Sequence, residues 1–166
     1  MEDAVYNYDV LIVGAGNAAN SAALAALDQK AKVGIIEKAP TLNRGGNSML
    51  TGHMRFAYTG IDDLRPMVKH MTDKQLYALL ELLPHRTEAE IWDEVMSVTS
   101  NQSDQELLEV HVAETLKTIH WLAAKGHDWV PVSHVTSDNI LVMNGGGYGL
   151  QERNFALFEK GGVKVH

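Results

Sequence analysis

Residues 9–37, reading DVLIVGAGNAANSAALAALDQKAKVGIIE, set out strand, glycine turn, helix, strand and terminal carboxylate in one run. Few folds accommodate that order. Val10, Leu11, Ile12 and Val13 form an unbroken apolar stretch, the pattern of a parallel strand covered on both faces. Gly14 permits the tight turn that follows, Gly16 lets main chain approach a pyrophosphate, and Ala19 is small enough for the next helix to lie close against the sheet. Asn17 and Ala18 open an alanine-rich segment whose first amides and dipole would face an anion. A second short strand, Val33 to Glu37, ends on a carboxylate 21 residues after Gly16, close to the usual interval for gripping adenosine ribose hydroxyls. The run reads as half of a dinucleotide site. The alternative is an ordinary buried βαβ unit whose glycines only relieve crowding. Glu37 also disfavours a 2′-phosphate on the ribose, since two negative groups would meet there.

Composition narrows the functional classes. A chain of 166 residues suits one domain, or one plus part of another. The formal charge of -7 argues against a nucleic-acid surface. No apolar run reaches the ~18 residues of a membrane span, and MEDAVYNYD carries no basic, apolar leader, which makes the cytoplasm the expected compartment. With Cys at 0, disulfides, thiol catalysis and cysteine-ligated metals are excluded.

After Glu37 the character changes. In KAPTLNRGGNSMLTG, Pro40, Gly45, Gly46 and Gly52 interrupt regular structure, Arg44 adds charge, and Asn47, Ser48 and Thr51 add hydrogen-bonding groups. Such a loop could follow a cofactor's phosphates and ring edge with amides and hydroxyls. Read alone, it could equally be a surface connection capped by Asn47 or Ser48.

DVLIVGAGNAAN, IIEKAP and RGGNSMLTGHMRF together resemble the fumarate reductase and succinate dehydrogenase type of FAD-dependent flavoproteins, with the greatest likeness to tricarballylate dehydrogenase-like members. The likeness continues through TIHWLAAKG and NGGGYGL into GGVKVH, and is that of an N-terminal part. The resemblance implies FAD as cofactor, with Gly14, Gly16, Asn17, Ala18, Glu37 and Lys38 at the pyrophosphate and adenosine half. It places Arg44, Gly45, Gly46, Asn47, Ser48, Thr51 and Gly52 along the pyrophosphate and flavin, with Asn47 to Gly52 as a turn or short helix. His53 and Arg55 would approach substrate or flavin, or be a loop histidine and a solvent-facing arginine.

The middle of the chain predicts helices. Asp62 or Asp63 would cap a short one over Ile61–Met71, with Pro66 in its first turn. Asp73 would cap a longer one from Lys74 to Val98, with Leu76, Leu79, Leu80 and Leu83 as its apolar face and Pro84 kinking or dividing it. Glu88, Glu90 and Glu94 read as an acidic solvated face, because no histidine completes a metal site. From Gln105 to Lys125, Leu108, Val112, Leu116, Ile119 and Leu122 share one face and Gly126 ends the helix. His111 and His120 are too far apart for a metal pair, and Trp92, Trp121 and Trp129 read as core or rim aromatics. His127, Asp128, His134 and Asp138 form a polar interval without a nucleophile elbow, read as loop chemistry.

In NGGGYGL, Gly145, Gly146, Gly147 and Gly149 would let main chain approach another surface. Leu150 to Lys160 predicts a helix and Val163 to Val165 a strand with an edge needing a partner. The expected architecture is therefore α/β: the N-terminal part of a Rossmann-like FAD-binding domain with a largely helical insertion. Residues 1–60 would begin the FAD-binding domain, 61–140 would form the helical region, and 141–166 the crossover, helix and returning strand. The resemblance implies the FAD-binding portion or subunit of an oxidoreductase acting on a small polycarboxylate, completed by a second polypeptide or a missing C-terminal region. No catalytic residue is assignable, since the family's proton-donating arginine and substrate-orienting histidines lie mainly beyond residue 166. A non-catalytic flavin-binding or assembly subunit and an inactive truncated homologue remain as alternatives.

Overall fold

The computed structural model describes residues 5–82, 85–136 and 139–166, with the side chains of 133–136 and 139–140 outside the description. The chain divides into two compact units, Met1–Gly52 with Gly145–His166, and His53–Asn144.

The first unit is built on a parallel sheet in the order β1 (Val10–Val13), β2 (Val33–Ile36), β5 (Lys164–Val165). The register pairs Val10 with Val33 and Ile12 with Ile35, so these four share one face. There Val33 and Ile35 are buried, covered by α1 (Asn17–Asp28), which in turn touches α6 (Gly146–Gly161) through Leu27 and Gly161. The opposite face differs. Leu11, Val13 and Ile36 are exposed on it. Parallel sheets are ordinarily covered on both sides, and the expectation of a doubly covered β1 is met on one side only. Tyr8 covers part of the second face: its ring lies so close over Gly34 that a Cβ at position 34 would sit 2.6 Å from it. Tyr8 Oη bonds His166 Nε2 at 2.6 Å, and Tyr6 stacks beside Tyr8 and lies tilted against the His166 ring.

The helix α6 starts four residues earlier than its hydrophobic pattern predicts. Gly145 takes a left-handed conformation, φ 76°, before the first turn, and a Cβ on Gly147 would collide with the carbonyl oxygens of Ser48 and Thr51. The glycine run is thus a helix start pressed against another loop, rather than an extended crossover. Gly162, φ 74°, closes the helix.

The second unit is helical with a hairpin. The short helix α2 (Ile61–Leu64) follows Gly60 and ends before Pro66; Asp63 lies inside it and accepts from the N–H and hydroxyl of Thr59 at 2.7 and 2.9 Å. The predicted cap at Asp62 or Asp63 is therefore replaced by Gly60, and the helix is shorter than Ile61–Met71. For α3 (Asp73–Leu82) the capping group is Thr72, whose Oγ1 accepts from Gln75 N–H while Gln75 returns a bond to Thr72 N–H; Asp73 instead pairs with Arg65 at 2.6 Å. The Lys74–Val98 stretch is two helices, with Leu83 and Pro84 outside the described residues; the second, α4 (Glu88–Val98), begins at a Thr87–Glu90 capping box.

Glu94 departs from the solvated acidic face expected of it. Its carboxylate is held by Arg86 and, at 2.7 Å, by Arg55. Ile91 and Met96 of α4 pack with Leu108 and Val112 of α5 (Gln105–Ala124), capped by Asp104 and ended by Gly126 at φ 95°. Leu122 and Ile119 continue the same buried face, with Leu116 half-buried. His120 Nε2 lies 2.7 Å from Asp63 O, so that nitrogen carries the proton and ties α5 to α2.

The polar interval after α5 leads into a hairpin of β3 (Trp129–Thr136) and β4 (Asn139–Met143), with Trp129 opposite Met143 and both buried. His134 falls within β3, which corrects its loop reading, while His127 and Asp128 precede the strand without regular structure, as read. His127 is buried, Asp128 accepts from Asn144 Nδ2 at 2.8 Å, the side chain of His134 lies outside the description and so does Asp138.

Candidate cofactor site

The C-terminal ends of β1 and β2 bring the predicted residues of the first unit together. Gly14 turns at φ 91° with nothing within 4 Å of where a Cβ would stand, and its N–H donates to Ile36 O at 2.7 Å. The chain then enters α1 through Gly16, which supplies no side-chain cap. The first intrahelical donor is Asn20, to Gly16 O at 2.9 Å. The earlier amides of the turn therefore point out of the helix, where the dipole favours an anion. One of them, Asn17 N–H, donates to Ser48 Oγ at 3.3 Å.

Glu37 is fixed by main chain. Its Oε2 accepts from Ala15 N–H at 2.6 Å, its Oε1 accepts from Ala39 N–H at 2.8 Å, and its own N–H donates to His166 O at 2.8 Å. These amide bonds, Ala39's first and Ala15's second, hold its carboxyl below the usual carboxylate range, against a smaller opposing effect of burial. Lys38, beside it, is exposed. The carboxylate stays charged and aimed, with lone pairs left to accept hydroxyls.

The loop from Arg44 to Gly52 lies across the same end. Residues Gly46–Leu50 form one 3-10 helix, preceded by Gly45 at φ 121°. A Cβ on Gly46 would stand 3.6 Å from Gly16 Cα, so this turn rests directly on the first glycine turn. Asn47 and Thr51 are exposed, while Ser48, at α1, is half-buried. Arg44 does not reach towards α1; its guanidinium stacks over Phe155 of α6 at 3.8 Å, beside a cleft of about 330 Å³ that Met49, Tyr148 and Glu152 also line. His53 and Arg55 belong to the second unit, where Arg55 pairs with Glu94. The buried amides Asn20, Gln151 and Asn154 were not legible as site residues.

Outward-pointing helix amides, a glycine turn free of side chains and a fixed carboxylate at the neighbouring strand end fit a dinucleotide with a diphosphate and a ribose diol. Fold and site define a parallel-sheet nucleotide-cofactor module of the flavoprotein kind. The chain belongs to the FAD binding domain family, whose model matches residues 9–164, and its cofactor is accordingly FAD.

Among characterised proteins it is 33% identical over 125 residues to a cytochrome-type fumarate reductase of Shewanella frigidimarina, covering 75% of this chain and 19% of that protein. It is 32% identical over 122 residues to an NADH:fumarate oxidoreductase of Klebsiella pneumoniae (strain 342), covering 72% of this chain and 11% of the other. The chain thus spans a fifth or less of the length of these relatives. The open conformation of a flavocytochrome c3 fumarate reductase superposes with a TM-score of 0.66 at 21% identity, over 95% of this chain and 26% of that one. A 3-ketosteroid-Δ4-(5α)-dehydrogenase from Rhodococcus jostii RHA1 gives 0.65 at 17% identity, over 99% and 38%. At such identities both share the fold. Among the described residues, no helix is long and apolar enough to cross a membrane.

Proposed function

We propose that this chain is the FAD-binding portion, or FAD-binding subunit, of an oxidoreductase that reduces or dehydrogenates a small polycarboxylate, of the tricarballylate dehydrogenase-like kind. The observation that carries the proposal is the pairing of Glu37 with Ala15 N–H at the mouth of an α1 helix that has no cap of its own. The substrate class is supported by RGGNS at 44–48 and by relatives named for fumarate, itself a dicarboxylate.

In this reading Gly14 turns the chain beside the diphosphate, and Gly16, Asn17 and Ala18 seat it on main-chain amides. Glu37 accepts the ribose hydroxyls, with Lys38 alongside. Gly45, Gly46, Asn47, Ser48, Thr51 and Gly52 shape the wall from diphosphate to flavin, and Arg44 steadies that wall through Phe155. Ser48 Oγ, already on Asn17 N–H, would turn its hydroxyl to a phosphate oxygen. FAD, when bound, supplies hydride transfer at its N5. This chain's residues hold and orient; the acid or base that handles the one proton accompanying the hydride is to come from a second polypeptide or a further C-terminal region. The open sheet face with Leu11, Val13 and Ile36 supports that need, since such a face is ordinarily covered.

The test is an FAD titration of the chain followed by flavin absorption, then turnover with fumarate or tricarballylate after adding the complementary C-terminal portion of a relative. Saturable flavin uptake and restored turnover are expected. Uptake without turnover in the completed assembly would select a non-catalytic flavin-binding subunit, and absence of uptake would overturn the cofactor role.

A further inference from the structure

We infer that Asn20 and Gln151 form a buried amide latch between α1 and α6 that holds the Gly45–Gly46 turn against Gly16. It rests on the reading above only for what that turn then receives.

Asn20 is 0% exposed, Gln151 2% and Asn154 1%, placing three amides where the helix patterns call for apolar groups. Asn20 lies on the inward face of α1 with Ala23 and Leu24, at helical spacing. Gln151 and Asn154 are one turn apart on the same side of α6. Asn20 Nδ2 donates to Gln151 Oε1, joining helices whose sequence positions differ by 131. The stem of Gln151 continues to the cofactor loop. A Cβ on Gly45 would lie 3.0 Å from Gln151 Cγ, and the next residue, Gly46, rests on Gly16 Cα. A continuous line of contact therefore runs from the middle of α1, through α6 and the turn, back to the start of α1.

As adhesive this seam is poor. Asn20 Oδ1, Gln151 Nε2 and Asn154 Oδ1 have no protein partner, and a buried polar atom left so costs stability. Apolar side chains of similar volume would hold the two helices at least as well. What an amide pair supplies and a methyl group does not is direction. The bond from Asn20 fixes the rotamer of Gln151 and so fixes where its Cγ supports Gly45. The latch thus positions the phosphate wall, and Gln151 acts through Gly45 without touching cofactor.

The experiment compares the full 166-residue chain with N20L/Q151L and with the exchanged pair N20Q/Q151N, by thermal unfolding, by hydrogen exchange of the amides of residues 45–50 without FAD, and by FAD titration. For N20L/Q151L the midpoint of unfolding is expected to hold or rise, while turn amides exchange about tenfold faster and FAD binds about tenfold more weakly. N20Q/Q151N, which rebuilds the pair from the same atoms, is expected to restore both. Wild-type exchange and wild-type affinity in N20L/Q151L would overturn the latch. Should that variant not fold, Q151M, which keeps the stem and drops the amide, carries the same comparison. If the wild type takes up no FAD, the cofactor reading fails and the exchange result alone decides: faster turn exchange sustains the latch, unchanged exchange removes it.

Discussion

Glu37 Oε2 accepts the main-chain N–H of Ala15 at 2.6 Å, tying the end of β2 to the first turn after β1. The same carboxylate holds Ala39 N–H, so one side chain sets the path of two loops at the mouth of the site. A glutamine retains one acceptor oxygen and loses the other. Glu37→Gln is therefore expected to weaken FAD binding by about tenfold or more, the scale of a lost hydrogen bond to a charged group, with little change in the fold. Equilibrium titration against flavin fluorescence, beside a far-ultraviolet spectrum, measures both.

The acid dependence follows from the direction of the Glu37 shift. Its carboxyl is lowered in the folded chain by the Ala39 and Ala15 amides, so the stabilisation is complete above the ordinary glutamate range of about 4.3. It is lost as pH falls through the lower, folded-state value. Urea unfolding at stepped pH should show wild type and Glu37→Gln diverging above that range and converging at the acid end.

Gly147 meets the carbonyl oxygens of Ser48 and Thr51, which are backbone atoms unable to rotate away. Gly147→Ala is expected to cost about 1–3 kcal/mol or more through overpacking and to displace the 46–51 turn. A lowered unfolding midpoint together with weaker FAD uptake checks this; Gly126→Ala, in open space but at φ 95°, isolates the cost of backbone strain alone.

In the second unit, burial pushes the Tyr58 phenol up to about 12, with Arg86 opposing and Glu90 assisting. Because the folded value is raised, the contribution of neutral Tyr58 is complete below the unfolded value of about 10 and is lost as pH rises through about 12. Ultraviolet titration of wild type against Tyr58→Phe should assign to this residue a phenol that ionises only with alkaline unfolding.

The legible parts of the chain were those where local chemistry and tertiary role coincide. The sheet, α1, the Glu37 carboxylate and the apolar stripe of α5 are short-range patterns, and each of them stands in the structure. The hairpin Trp129–Met143 was hidden because WVPV and ILVM are short apolar runs without alternation, and the intervening SHVTSDN, with its histidine and aspartate, reads as loop. The early start of α6 could not be read, since glycine lowers helix propensity and the reason for Gly147 lies about a hundred residues away, in the backbone of Ser48 and Thr51. Glu94 shared the helix spacing of Glu90, yet its partners Arg55 and Arg86 come from other segments. Asn20 and Gln151 are 131 positions apart, and nothing in either local stretch marks them as partners.

Tyr8 occupies the volume above Gly34 that any larger residue at 34 would require. The two positions are consequently not free to drift separately during evolution. An alanine or valine at 34 requires the ring at 8 to swing aside, and its bond to His166 is given up with it. The ring at 8 and the bare main chain at 34 thus form one packing unit whose halves fit only together.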